Sequence, residues 1–149
     1  MSKRNWKYRT VWIATCVGVA MLSIGSGCGK HEVDLGQVSG SVTLDGKPVQ
    51  GVFILFQPDG RKPSYSWIDA GGKFLLKYNA GNSGAVIGRQ KVQLRIPAED
   101  EVLDLPTGVT GPSSIPPKYL EPFQTVEVKS GKNEFNFDLT SEDRATAGG

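Results

Sequence analysis

Gln37-Val-Ser-Gly-Ser-Val-Thr-Leu-Asp-Gly-Lys-Pro-Val49 is the stretch that decides the fold. Val38, Gly40, Val42 and Leu44 fall on one face, and Ser39, Ser41 and Thr43 fall on the other. Such alternation marks a strand with one buried side. Asp45-Gly46 then ends the run, because both residues tolerate the positive φ of a tight hairpin turn. The next segment, Val49 to Gln57, contains Val-Phe-Ile-Leu-Phe and is apolar on both faces. It predicts a central strand covered on both sides.

The same period of two continues downstream. Ser64 to Asp69 sets Tyr65 and Trp67 on one face of an edge strand and Ile68 on the other. Lys73 to Tyr78 sets Phe74, Leu76 and Tyr78 on one side, and Ala85-Val86-Ile87 makes a short strand. Arg89 to Ile96 directs Val92, Leu94 and Ile96 inward. Gln124 to Lys129 presents Val126 and Val128, and Asn133 to Thr140 presents Phe135, Phe137 and Leu139. No segment of this part carries a helical period. About seven short strands separated by turn signals predict an all-β domain, an antiparallel β-sandwich.

The segment from Pro97 to Pro122 breaks the pattern. It carries prolines at 97, 106, 112, 116, 117 and 122, and the acidic group Glu99, Asp100, Glu101 and Asp104. Long structureless loops are uncommon in compact domains. The acidic half is expected to be mobile. Ile115-Pro-Pro-Lys-Tyr119 is expected to dock back, since Ile115, Tyr119 and Leu120 need apolar cover.

The N-terminus reads as a targeting segment. Lys3, Arg4, Lys7 and Arg9 precede an apolar run, Val11 to Ile24, and then the small residues Gly25-Ser-Gly27. A basic region, a short apolar stretch and small residues are the layout of an export signal, here a short signal helix. A membrane-spanning anchor would need roughly 20 apolar residues, more than this run supplies. A simple secretory cut near Gly27 is the other alternative. The cysteine that follows, Cys28, makes the segment similar to a bacterial lipobox, with Gly25 where that pattern usually has Leu. The resemblance implies a signal peptide over 1–27, removed to leave an acylated Cys28 as the membrane attachment. It implies a tether over 28–35, a domain over 36–140 and a tail over 141–149. Gly29-Lys30 follow the cysteine, with no Asp, and their resemblance to the sorting signals of some didermal bacteria implies the outer membrane, on its periplasmic or surface face.

Processing changes the charge argument. The 149-residue chain carries 17 Lys and Arg against 15 Asp and Glu, a net +2. The four basic residues of the signal leave with it, so 13 remain against 15 and the net charge becomes −2. The basicity of the full chain is then a targeting feature and no sign of nucleic-acid binding. Of the two cysteines, Cys16 leaves and Cys28 is acylated, so no disulfide is expected to staple the fold.

Val38-Ser-Gly-Ser-Val-Thr-Leu-Asp-Gly-Lys-Pro-Val49 with Gly51-Val52 resembles the opening of carboxypeptidase regulatory-like, transthyretin-like domains. Asp69-Ala-Gly-Gly-Lys-Phe74 resembles their second turn. Gly88-Arg-Gln-Lys-Val92 resembles the start of a later strand, with Gln90 in place of the usual aromatic. Ile115 to Tyr119 and Gly131 to Leu139 resemble a lipoprotein subgroup of the same superfamily. The resemblance implies a transthyretin-like (prealbumin-like) sandwich and no particular activity.

Several chemistries lack residues. The hydroxyisourate hydrolases share this architecture, but their site needs several histidines and the chain has only His31, in the tether. Nucleophilic sets built on His or Cys are likewise missing from the domain. A lysine in the first strand, needed for the isopeptide bond of pilin-like domains, is absent, although Asn136 and Asp138 stand in the last strand. Asp69 and the acidic group of 99–104 offer oxygen ligands for Ca²⁺, but their spacing matches no calcium loop. No catalysis, cofactor or metal is expected.

What remains is a lipid-anchored module of the cell envelope, structural or binding protein or glycan. Tyr65 and Trp67 are the candidate ligand-binding residues. Exposed, they would stack on sugar rings and make a carbohydrate-binding module. Alternatively they pack in the core or beneath the 97–122 loop. The oligomeric state is left open.

Overall fold

The computed structural model describes residues 33–142. In chain order the strands are β1 (Leu35–Leu44), β2 (Lys47–Pro48), β3 (Phe53–Pro58), β4 (Ser64–Trp67), β5 (Lys73–Leu75) and β6 (Lys77–Asn79). They continue with β7 (Asn82–Ser83), β8 (Ala85–Val86), β9 (Gly88–Arg95), β10 (Gln124–Val128) and β11 (Lys132–Leu139). Two short 3-10 turns, Glu101–Asp104 and Pro117–Tyr119, lie in the long loop.

Two sheets form. The first is built on β1, which pairs with β11 on one side and with β2, β5 and β8 on the other. The second has the order β10-β9-β3-β4-β6-β7. The result is an all-β, antiparallel-rich sandwich. One pairing departs from the expected antiparallel scheme. β1 and β11 run parallel, in register from Gln37 beside Lys132 to Leu44 beside Leu139. Parallel neighbours cannot be joined by a tight hairpin and need a long crossover. Here the rest of the sandwich is the crossover.

The two inner faces meet as the alternation predicts. Val38 and Val42 of β1, Ile54 and Phe56 of β3, and Val92 and Leu94 of β9 are all buried. Phe56 of the second sheet lies 6.2 Å from Phe74 and 6.3 Å from Phe137 of the first, ring centre to ring centre. Each fully buried side chain of this kind stabilises the fold by about 1.5–3 kcal/mol relative to exposure.

Local sequence explains the corners. Asp45 and Gly46 have φ of 51° and 77°, the positive pair that a two-residue hairpin between β1 and β2 requires. Gly40 faces Phe135 on β11, and a Cβ there would sit 1.7 Å from the Phe135 carbonyl oxygen. The absence of a side chain lets the parallel strands close. Asp69 shapes the turn before β5: its Oδ1 accepts from the N–H groups of Gly71 and Lys73, each at 2.9 Å. That carboxylate is occupied as a turn former.

Three details differ from the sequence reading. The single strand expected over Lys73 to Tyr78 is two. β5 pairs with β1, the chain changes sheets at the buried Leu76, and β6 pairs with β4. Ile96, expected inside, is 45% exposed. β9 ends at Arg95, and Pro97, which has no N–H to donate, cannot extend the ladder. β4, expected at a sheet edge, lies between β3 and β6. Gln90 is buried, and its Nε2 donates to the Val86 carbonyl.

The long loop is tied down at both ends. Ile115 is buried, and Tyr119, Leu120 and Phe123 pack against the core, as expected. The Gln50 N–H donates to Ser113 Oγ, and the Ser113 N–H donates to the Gln50 carbonyl, each at 2.9 Å. The acidic half forms a strap that includes the turn Glu101–Asp104.

The outer face of the first sheet is polar. Ser41 Oγ donates to Asn136 Oδ1 at 2.8 Å, and Thr43 Oγ1 donates to Asp138 Oδ1 at 2.7 Å. These rungs cross the parallel seam, joining residues far apart in sequence.

Candidate functional site

The outer face of the second sheet has a different character. Register aligns Arg95 of β9, Phe53 of β3 and Trp67 of β4 in one row. The next row runs Gln93, Leu55, Tyr65 and then Lys77 of β6. Alternation along each strand puts all these side chains on one side.

Phe53 organises the surface. Its ring centre lies 3.9 Å from that of Trp67, with a 30° tilt, and 6.0 Å from that of Tyr65, nearly edge-on at 76°. On the β9 side the Arg95 guanidinium carbon sits 4.2 Å from the Phe53 ring centre, a cation–π contact. Phe53 itself is 5% exposed, whereas Tyr65 is 49% exposed and Trp67 is half-buried. The middle ring is therefore scaffold and the outer two are surface.

Arg95 also holds the strap. Its Nη1 and Nη2 donate to Glu101 Oε2 and Oε1 at 2.7 and 3.0 Å, a two-pronged pair. The Ala98 N–H donates to the same Oε2 at 2.8 Å. Hydrogen bonds from Arg95 first, and then from the Ala98 backbone, lower the Glu101 pKa from its ordinary 4.5 to about 2. The strap is thus clasped beside the aromatic row.

Between strap and sheet lies an open groove of about 430 Å³. Phe53, Trp67 and Tyr65 form its apolar part. Lys77 enters from the β6 side, and Glu101 and Asp104 enter from the strap. Glu101 is satisfied by Arg95. The side chains of Asp104 and Lys77 make no hydrogen bond or ion pair among the described residues. The volume lies within the roughly 300–1,000 Å³ usual for small-molecule sites.

Tyr65 and Trp67, singled out from sequence, therefore come together on one groove. Tyr65 is half exposed and Trp67 half-buried, and Glu101 and Asp104 of the strap border the same groove. Phe53, Lys77, Glu101 and Asp104 complete the groove and were not singled out for it. The available signal was the pairing of an aromatic-rich strand, Phe53 to Phe56, with the aromatic Tyr65-Ser-Trp67. Glu99 and Asp100 are exposed. Among the described residues no group of three or more His, Cys, Asp or Glu gathers as a metal site. No helix among them is long and apolar enough to cross a membrane. Cys28, His31 and the 1–27 signal lie outside the described residues.

No family model matches the chain, and no curated protein matches it. Among solved structures it is similar to a DUF3823 family protein from Parabacteroides merdae, at 18% identity and a TM-score of 0.41. That likeness covers 73% of this chain and 47% of the other. The chain thus spans about half the length of that protein.

Proposed function

We propose that this protein is a non-catalytic, lipid-anchored module of the cell envelope that binds glycan through the groove on its second sheet. The groove between strap and sheet is the observation that carries the reading: Tyr65, half exposed, and Trp67 line a concave surface of ligand size. Aromatic faces with a few polar groups at the rim suit a ring that has both an apolar and a polar side. Transthyretin-like topology and kinship with carboxypeptidase regulatory-like domains belong to the same proposal, supported by the opening motif and the turns at Gly46 and Gly72. Acylation of Cys28 supplies the anchor, and the outer membrane is the expected location. Two acyl chains or more would hold the protein firmly, whereas one binds only marginally.

The test is retention of the full chain on insoluble polysaccharides and glycan arrays. Binding is expected, and Tyr65→Ala and Trp67→Ala should each abolish it while the fold persists. Equal retention of the wild type and both variants would remove the groove from the function. Mass spectrometry of the native N-terminus should find Cys28 acylated, and an unmodified N-terminus elsewhere would remove the anchor.

A protein partner is the second reading. Leu103, at the tip of the strap, is 88% exposed and offers an apolar side chain to a partner. Envelope capture lost in Leu103→Ser but kept in Tyr65→Ala would favour it.

A further inference from the structure

The groove carries information about its ligand beyond the presence of rings, and this deepening rests on the glycan reading above. Two of its charged groups, both exposed, have no protein partner among the described residues. Lys77 offers only donors and Asp104, ionised, only acceptors. They line one groove yet form no ion pair with each other. Lys77 belongs to the β6 side, and the strap that carries Asp104 is clasped to Arg95 on β9. The two groups are more than 4.0 Å apart, and both border the aromatic floor.

A ligand that satisfies both walls must accept on one side and donate on the other. A cationic sugar suits Asp104 but meets Lys77 with like charge. A polyuronate suits Lys77 but meets Asp104 with like charge. A hydroxyl both donates and accepts. A neutral sugar ring carries hydroxyls around its rim and a C–H face that can lie on an aromatic ring. We infer that the groove takes a neutral pyranose glycan, its apolar face on Trp67 and Tyr65, with hydroxyls donating to Asp104 and accepting from Lys77. The two charges then act as directional hydrogen-bonding groups and set specificity against charged polysaccharides by repulsion.

Calorimetric titration of the full chain tests this with defined probes. These are neutral hexasaccharides (gluco-, manno-, galacto- and xylo-configured), hexagalacturonate, and fully deacetylated chitohexaose. At least one neutral probe should bind, and bind at least tenfold more tightly than either charged probe. Its affinity should change less than about twofold between 50 and 500 mM salt, because no net charge is neutralised. Asp104→Asn and Lys77→Gln, both at exposed positions, should each weaken it by roughly tenfold, the loss of one charge-assisted hydrogen bond. Tighter binding of a charged hexasaccharide, with steep salt dependence, would overturn the inference while leaving the glycan reading intact. So would neutral binding unaffected by both substitutions. Failure of every probe to bind would overturn the glycan reading itself, and this inference with it.

Discussion

The two outer faces of this sandwich are made by the same alternation and end in opposite states. On the first sheet, Ser41 meets Asn136 and Thr43 meets Asp138, so short polar groups satisfy one another across the seam. On the second sheet, large rings meet, and the charges at the margin either clasp a strap or face open space. Polar pairs that satisfy one another, as Ser41 with Asn136 and Thr43 with Asp138, have little left to offer a ligand. An aromatic face with spare donors and acceptors has both area and direction to offer. Period-two patterning says which side chains point outward; the identity of the cross-strand neighbours decides whether that face is finished or available.

The contrast can be broken from its strongest point downward. Phe53→Ala should destabilise the domain by about 3–5 kcal/mol, the usual range for a buried Phe, and should abolish glycan binding. Chemical denaturation reads the first effect, and a loss under 1 kcal/mol would mean the ring is decoration. Gly40→Ala should cost about 1–3 kcal/mol by overpacking the parallel seam. It acts on the other sheet, so the affinity of the folded protein for glycan should stay as it was. Ser41→Ala should cost only about 0.5–1 kcal/mol, one exposed hydrogen bond, and should not create a binding face. If it matched Phe53→Ala, the two faces would not differ as described.

Acid offers the most local test. The folded Glu101 has a pKa depressed to about 2 from 4.5, so the clasp favours the ionised form. Its contribution is complete above about pH 4.5 and is lost as the pH falls toward 2. Fluorescence of Trp67, in a chain with Trp6 and Trp12 changed to Phe, should shift across that window. Asp45 is also depressed, by hydrogen bonds from Ser141, first its side chain and then its backbone, so Asp45→Asn serves as the control at the hairpin. A shift that survives in Glu101→Gln would assign the transition to another group.

Much of the fold was legible because it is local. Val38 and Val42 declare a face, Asp45-Gly46 declares a turn, and the doubly apolar Phe53 to Phe56 declares a central strand. The docking of Ile115 followed from its need for cover. The parallel direction of β11 was not legible, since alternation assigns a face and carries no information about the partner's direction. The change of sheet at Leu76 escaped for a related reason: its apolar side chain continues the rhythm of Phe74 while its backbone changes partners. The site was half legible. Tyr65 and Trp67 share a face by spacing alone. The clasp on the strap depends on Arg95 and Glu101 meeting across the strand end at Pro97, a contact that no periodicity encodes.

The parallel seam also sets how the domain bears load. β1 and β11 start at the same end of the sandwich, so the chain enters beside Gln37 and leaves beyond Leu139 at the opposite end. Tension applied before Leu35 and after Leu139 would pull the two strands past each other along their length. Their hydrogen bonds would then resist together in shear instead of opening one at a time like a zip. Tension between the two ends of the domain therefore meets its strongest resistance along the β1–β11 seam.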